Sequence, residues 1–498
     1  MTKAFADVHA RLNAAEPGPH LSRHLYGHFA EHLGRCIYEG VWVGEDSPIA
    51  NRRGMRNDVL HALKEIRVPV LRWPGGCFAD EYHWQDGVGP RSGRPRRINS
   101  HWGGVIENNH FGTHEFMALV EELGADAYIA GNMGSGSPRE MQEWVEYLTA
   151  PHDSTLAARR RSNGRDEPFS VPYFGVGNEN WGCGGNMRPE YYADLYRHFA
   201  TYVKNYNPKQ RIQRVACGPN GADFEWTSVL MSRAAGMLDA IGMHYYTLPT
   251  GDWSHKGASL GFDEAAWFST LKNTLRMDEL IAAHATIMDR HDPERRVGLF
   301  VDEWGTWYDA LPGTNPGFLE QQNTLRDAMV AALNLHIFHK HARRVRMANL
   351  AQTVNVLQAL ILTNGASMLR TPTYWVFEMF KSHQAGTSLA LEYTAPPYTF
   401  GDAEIGGLSG SASRDESGRV TLSLVNPHPS RTLAITCDVE AVSFSKVRCR
   451  TLGAERIDSC NTFAAPDCVV PRAADASLVS GKLRLELAPK SIAVCELG

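Results

Sequence analysis

Two short segments carry carboxylates in positions where acid–base or nucleophilic chemistry is done. In GVGNENWG (175–182) the apolar run YFGVG leads straight into Asn178-Glu179. In LFVDEWGTWY (299–308) a second apolar run ends in Asp302-Glu303 and is followed by aromatics. An acid after an apolar run either faces a ligand or caps the next helix. Two such acids far apart in sequence suit a reaction that needs a protonated carboxyl and an ionised one on opposite sides of one bond, as glycosidic cleavage does.

Other segments offer partners for that chemistry. LRWPGGCFADEYHWQDGVGP (71–90) supplies Arg72, able to hold a carboxylate ionised, and a Pro-Gly-Gly loop that brings Cys77 near a ligand; Asp80, Glu81 and Asp86 are rival acids there. GMHYYT (242–247) offers His244 and Tyr246, and ANLAQTVNV (348–356) offers Gln352 and Asn355. LYGHFAEHLGRCIYEG (25–40) contains Glu31 and reads literally as His28-x-x-Glu31-His32, an inverted zinc-peptidase pattern. That reading needs a helix, which Gly27 and Gly34 oppose; otherwise Glu31 is a hydroxyl acceptor at a strand end. GNMGSGSP (131–138) lacks the Lys-Ser/Thr of a phosphate loop. His336, His339 and His341 lie on a helical pattern and read as a solvated face. Cysteine never occurs with zinc-ligand spacing, and no metal or cofactor is expected.

These segments must be positioned by something. Up to about residue 385 short apolar runs alternate with amphipathic stretches, and the runs end in polar residues. That pattern predicts a parallel (β/α)8 TIM barrel over 18–385 with the site at its C-terminal face; a doubly wound open sheet is the runner-up, against which no GxGxxG opens a helix. From 386 to 498 the texture becomes period-two alternation with turn residues, an antiparallel β-sandwich, with a strand from 1–17 joining it. The net charge of −5 argues against nucleic acid. No run is apolar enough for a membrane span and no signal h-region is visible, so the expected location is the cytoplasm. The nine cysteines are scattered and odd in number, and read as free thiols.

Seven motifs taken together resemble glycoside hydrolase family 51, the α-L-arabinofuranosidases: EHLGR-x-IYEG, RWPGG-x-F, WQDGVGP-x-x-x-RP, GVGNE, HYYT, DEW-x-x-WY and LAQTVNV, in the family's order along nearly the whole chain. The resemblance implies a barrel followed by a jelly-roll sandwich and net retention of configuration. It implies Glu179 as general acid/base and Glu303 as nucleophile, their carboxyls roughly 5 Å apart. It places Glu31, Cys77, Asn178, Tyr246 and Gln352 around an arabinofuranose ring, and Trp102 and Trp307 near the leaving group. Arg72, His244 and Tyr246 are expected to keep Glu303 ionised. The implied activity is exo-release of terminal arabinofuranose from arabinoxylan or arabinan oligosaccharides by a homo-oligomer, a hexamer in many members. Endo-β-1,4-glucanase or β-xylosidase action is the alternative in the same site. The chain departs from many relatives in NWGCGGNM (180–187), beside the leaving group, and in Cys77, where several have Asn.

Overall fold

In a computed structural model, which describes residues 4–442 and 444–498, eight short runs close into a parallel barrel. They are β1 (Gly27–Phe29), β2 (Val70–Trp73), β3 (Asp126–Gly131), β4 (Tyr173–Val176), β5 (Gln213–Ala216), β6 (Ala240–Thr247), β7 (Gly298–Thr306) and β8 (Val345–Ala351). Each pairs with its sequence neighbours, and β8 closes on β1. Seven strands contribute one side chain each to a plug inside the barrel: Val70, Tyr128, Tyr173, Val215, Ala240, Phe300 and Met347. The plug fills the interior and leaves the C-terminal strand ends for chemistry.

The helices between strands start on recognisable local signals. Ser137 caps Pro138–Thr149 by accepting from the Glu140 N–H, with proline in the first turn. Thr324 and Asp327 cap Leu325–Lys340 reciprocally. That last helix departs from expectation. It is buried on every side, and His336 and His339 are not solvated but enclosed, because the helix lies between the barrel and the C-terminal sheet.

The barrel's last helix ends at Phe380, and strand Thr387–Thr394 opens a ten-stranded sheet. The N-terminal strand Ala4–His20 sits in the middle of this sheet. It runs antiparallel to Thr387–Thr394 and parallel to Arg431–Glu440. Residues 1–3 of the strand expected over 1–17 lie outside the described residues. Val8, Leu12, Leu422, Ile435, Leu485 and Cys495 form a core separate from that of the barrel. No helix among the described residues is long and apolar enough to cross a membrane.

Candidate active site

Glu303 and Asp302 are successive residues of β7, yet both side chains turn into the barrel. The register explains this. Gly242 pairs with Phe300 while His244 pairs with Glu303, so β7 spends three residues where β6 spends two. The extra residue is a bulge, which breaks the alternation that would send one acid outward. Gly242 leaves room for it, since a Cβ there would lie 2.5 Å from Asp302 Oδ1.

Glu303 is gripped on both oxygens. Tyr246 donates to Oε1 at 2.7 Å and Arg72 donates to Oε2 at 3.0 Å. Arg72 also donates to Asn178 Oδ1, and its guanidinium sits over Phe29. Burial opposes the Arg72 charge, but Asp302 and Glu303 outweigh it and hold its pKa above the usual arginine value. Asp302 stays below the ordinary carboxylate range despite its burial, because His244 and Arg72 favour its ionised form. Tyr128, not anticipated from sequence, donates to Asp302 Oδ2 at 2.6 Å.

Glu179 lies just past β4. Gly177 has φ +91°, and Glu179 itself has φ +44°, a left-handed conformation uncommon for a side-chain-bearing residue. The turn aims its carboxyl back across the barrel mouth. His244 Nδ1 bonds Glu179 Oε1 at 2.8 Å and lies 3.5 Å from Glu303 Oε2. One oxygen of each glutamate lies with a His244 nitrogen inside a 4.8 Å cluster. Burial, then the negative charge of Glu303, raises the Glu179 pKa. Burial opposes protonation of His244, but the charges of Glu303 and Asp302 and the bonds to Asp302 and Glu179 push its pKa up to about 10. At neutral pH the imidazolium therefore bridges the two acids.

A third acid, Glu31, follows β1. It accepts from Trp102 Nε1 at 2.8 Å, Gln352 Nε2 at 2.8 Å and the Phe78 N–H at 3.1 Å. Burial, then Glu303, pushes its pKa up to about 7. Asn178 Nδ2 and Gln352 Oε1 are buried polar atoms without a protein partner. Such atoms are costly unless a ligand satisfies them. Trp307 packs edge-on to Tyr246 at 5.0 Å. Trp253, about half exposed, extends this aromatic wall at 5.3 Å from Trp307. Trp253 is not among the residues expected from sequence; its position in a Gly-Asp-Trp loop just after HYYT is the available signal.

Two expectations are corrected. Cys77 is not a free thiol: it is bonded to Cys183, while the other seven cysteines are unpaired. The disulfide has no S–H to donate to a sugar. Its two sulfurs instead lie 3.8 and 3.5 Å from Glu179 Oε2. The zinc-peptidase pattern also dissolves. His28 lies on strand β1, packed against Phe377. His32 is committed to Glu107 at 2.8 Å and to Trp73 Nε1 at 3.1 Å. Two histidines bound into separate surroundings cannot converge on one ion.

A (β/α)8 barrel with paired acids across its C-terminal mouth, one bonded to an arginine and a tyrosine hydroxyl and the other pushed toward protonation, has the architecture of a barrel glycoside hydrolase. Residues 62–265 match the family model of the alpha-L-arabinofuranosidase 1 domain, and residues 302–491 that of the alpha-L-arabinofuranosidase C-terminal domain. An intracellular exo-alpha-L-arabinofuranosidase from Bacteroides ovatus is 46% identical over 96% of this chain and 93% of its own length. The crystal structure of the GH51 arabinofuranosidase from Xanthomonas axonopodis pv. citri superposes with a TM-score of 0.97 at 53% identity, covering 99% of this chain and 100% of that one. The α-L-arabinofuranosidase from Thermotoga maritima, solved as an arabinose complex, gives 0.87 at 30% identity, with 98% and 99% covered. The chain belongs to the α-L-arabinofuranosidases of glycoside hydrolase family 51.

Proposed function

We propose that this protein is a retaining, exo-acting α-L-arabinofuranosidase in which Glu303 is the nucleophile and Glu179 the acid/base. The observation that carries the assignment is the opposite treatment of two identical side chains. Glu303 receives Arg72 and Tyr246, which favour its anion. Glu179 is pushed toward its protonated form by burial and by Glu303. Glu303 attacks the anomeric carbon while Glu179 protonates the departing oxygen, giving a β-arabinosyl ester on Glu303. Glu179 then takes a proton from water, which attacks from the other face and restores the α configuration. The close approach of the two carboxylates suits direct attack and leaves no room for the intervening water of an inverting enzyme.

Glu31, Asn178 and Gln352 offer the acceptors and donors that a furanose's hydroxyls require, and Trp102, Trp307 and Trp253 line the side from which the rest of the substrate approaches. The substrate class is terminal arabinofuranosyl units on arabinan or arabinoxylan oligosaccharides, and the named activity of the Bacteroides ovatus relative supports exo action in the cytoplasm. A homo-oligomeric assembly is part of this reading, checked by light scattering. The catalytic assignment is tested on aryl α-L-arabinofuranosides. Glu303→Ala and Glu179→Ala should each lose at least about a thousandfold in turnover. Azide should give the α-azide with Glu179→Ala, by attack on the ester, and the β-azide with Glu303→Ala. Wild-type activity on carboxymethylcellulose exceeding that on the arabinofuranoside refutes the specificity.

A further inference from the structure

Asp80 is a fully buried acid that the chemistry above does not use. It belongs to a five-residue turn, Cys77–Glu81, following β2. Its Oδ1 accepts the N–H groups of Met133 and Gly134, both at 2.7 Å, and so fastens to the loop after β3. Its Oδ2 accepts the Asn178 N–H at 2.9 Å and Asn180 Nδ2 at 3.4 Å, the residues either side of Glu179. Three residues earlier in the same turn, Cys77 is bonded to Cys183, on the far side of Glu179. Gly184 closes the arrangement. A Cβ there would lie 2.0 Å from the Asn178 carbonyl oxygen and 2.4 Å from Asp80 Oδ2, so the loop can curl this tightly only with glycine.

We propose that Asp80 and the Cys77–Cys183 disulfide form a two-point clamp, built from one turn, that positions Glu179 for proton transfer. Asp80 holds the peptide entering Glu179 and the disulfide holds the chain leaving it. The grip is needed because Glu179 sits at positive φ, a conformation that persists only when its surroundings over-determine it. The sulfurs also border Oε2, the oxygen not engaged by His244, which is the one free to carry the proton to the leaving group. Asp80 contacts only the backbone and amide groups around Glu179, and the sulfurs contact only Glu179 itself, so both act through Glu179 as positioning elements.

This inference rests on the reading of Glu179 as acid/base, which azide rescue of Glu179→Ala tests independently. The experiment on the clamp uses Asp80→Asn, Cys183→Ser and wild type with and without dithiothreitol, against aryl arabinofuranosides from 2,4-dinitrophenyl to phenyl. Asn cannot accept from donors on both of its faces, so one anchor is lost. Misplacing a general acid penalises poor leaving groups selectively. Asp80→Asn should lose about a hundredfold in kcat/KM on the phenyl substrate and under about tenfold on the dinitrophenyl one. The alkaline limb of its pH profile should move. Cys183→Ser and reduced wild type should show the same trend more weakly, and they carry the test if Asp80→Asn does not fold. Equal losses across the series, with the alkaline limb unmoved, overturn the clamp. No azide rescue of Glu179→Ala overturns the reading beneath it.

Discussion

Glu179 and Glu303 are the same residue in one pocket, and everything that separates them lies in what surrounds each carboxyl. Glu303 has a cation on one oxygen and a phenol on the other; Glu179 has burial, a nearby anion and the imidazolium of His244. Under the proposed mechanism, these different surroundings are what let two identical side chains take different roles. Tyr246 is the separable part of the arrangement, because its ring can stay while its hydroxyl is removed. Tyr246→Phe deletes a hydrogen bond to a charged group, worth about 1.5–3 kcal/mol. Turnover on aryl arabinofuranosides should fall by roughly tenfold to a hundredfold. KM should change little, since the ring still supports Trp307. Unchanged turnover would show that the contacts of Arg72 and His244 with Glu303 suffice without the Tyr246 hydroxyl.

The elements carry information that single residues do not. β6 and β7 must bulge against one another for Asp302 and Glu303 to face inward together, and Gly242 is the position that permits it. Gly242→Ala should displace Asp302, loosen its contact with His244 Nε2 at 3.4 Å, and lower both Tm and kcat. A crystal structure of the variant with Asp302 unmoved contradicts this account of the bulge. The strand-end acids were legible in the sequence because an apolar run that stops in an acid is a local signal, and so was the strand–helix alternation. Arg72, His244, Tyr246 and Gln352 were legible for the same reason, each lying on or just past a strand. In the sequence Asp80 is only a rival acid, because its contacts depend on the loops after β3 and β4 packing onto its turn. The disulfide is not legible in the sequence because Cys77 and Cys183 are 106 residues apart and meet only when the loops after β2 and β4, on either side of β3, fold together. The enclosure of His336 and His339 is not legible in the sequence, because helical periodicity reports that a helix has faces, not what covers them.

At the scale of the whole molecule, those histidines join the two cores. Strand Ser409–Arg414 presents Ser409, Ser411 and Ser413 on one face. His336 bonds Ser409 and Ser423, each at 2.9 Å. His339 bonds Ser411 at 2.8 Å and Tyr26 of the barrel at 2.7 Å. His383 bonds Ser413 at 2.7 Å and Ser423 at 2.9 Å. The three imidazoles are buried, and the side chains they bond are serine and tyrosine hydroxyls, with no acid among them to compensate a proton. Burial lowers the His339 pKa to about 3, and burial with neighbouring histidines holds His336 and His383 well below the usual value. The unfolded chain protonates each near pH 6.5, so below that pH it binds more protons than the folded protein. Stability is therefore fully present above about pH 6.5 and is lost as pH falls from there toward about 3. At pH 5 each histidine that stays neutral costs about 2 kcal/mol. Tyr26, pushed well above 10 by its burial, does not titrate in this window. His339→Gln keeps polar atoms in the seam and removes one titrating group. Urea unfolding should show its stability falling about 2 kcal/mol less than that of wild type between pH 7 and pH 5. Equal losses in the two proteins would mean that the acid sensitivity resides in other groups, such as His28, rather than in the seam between barrel and sheet.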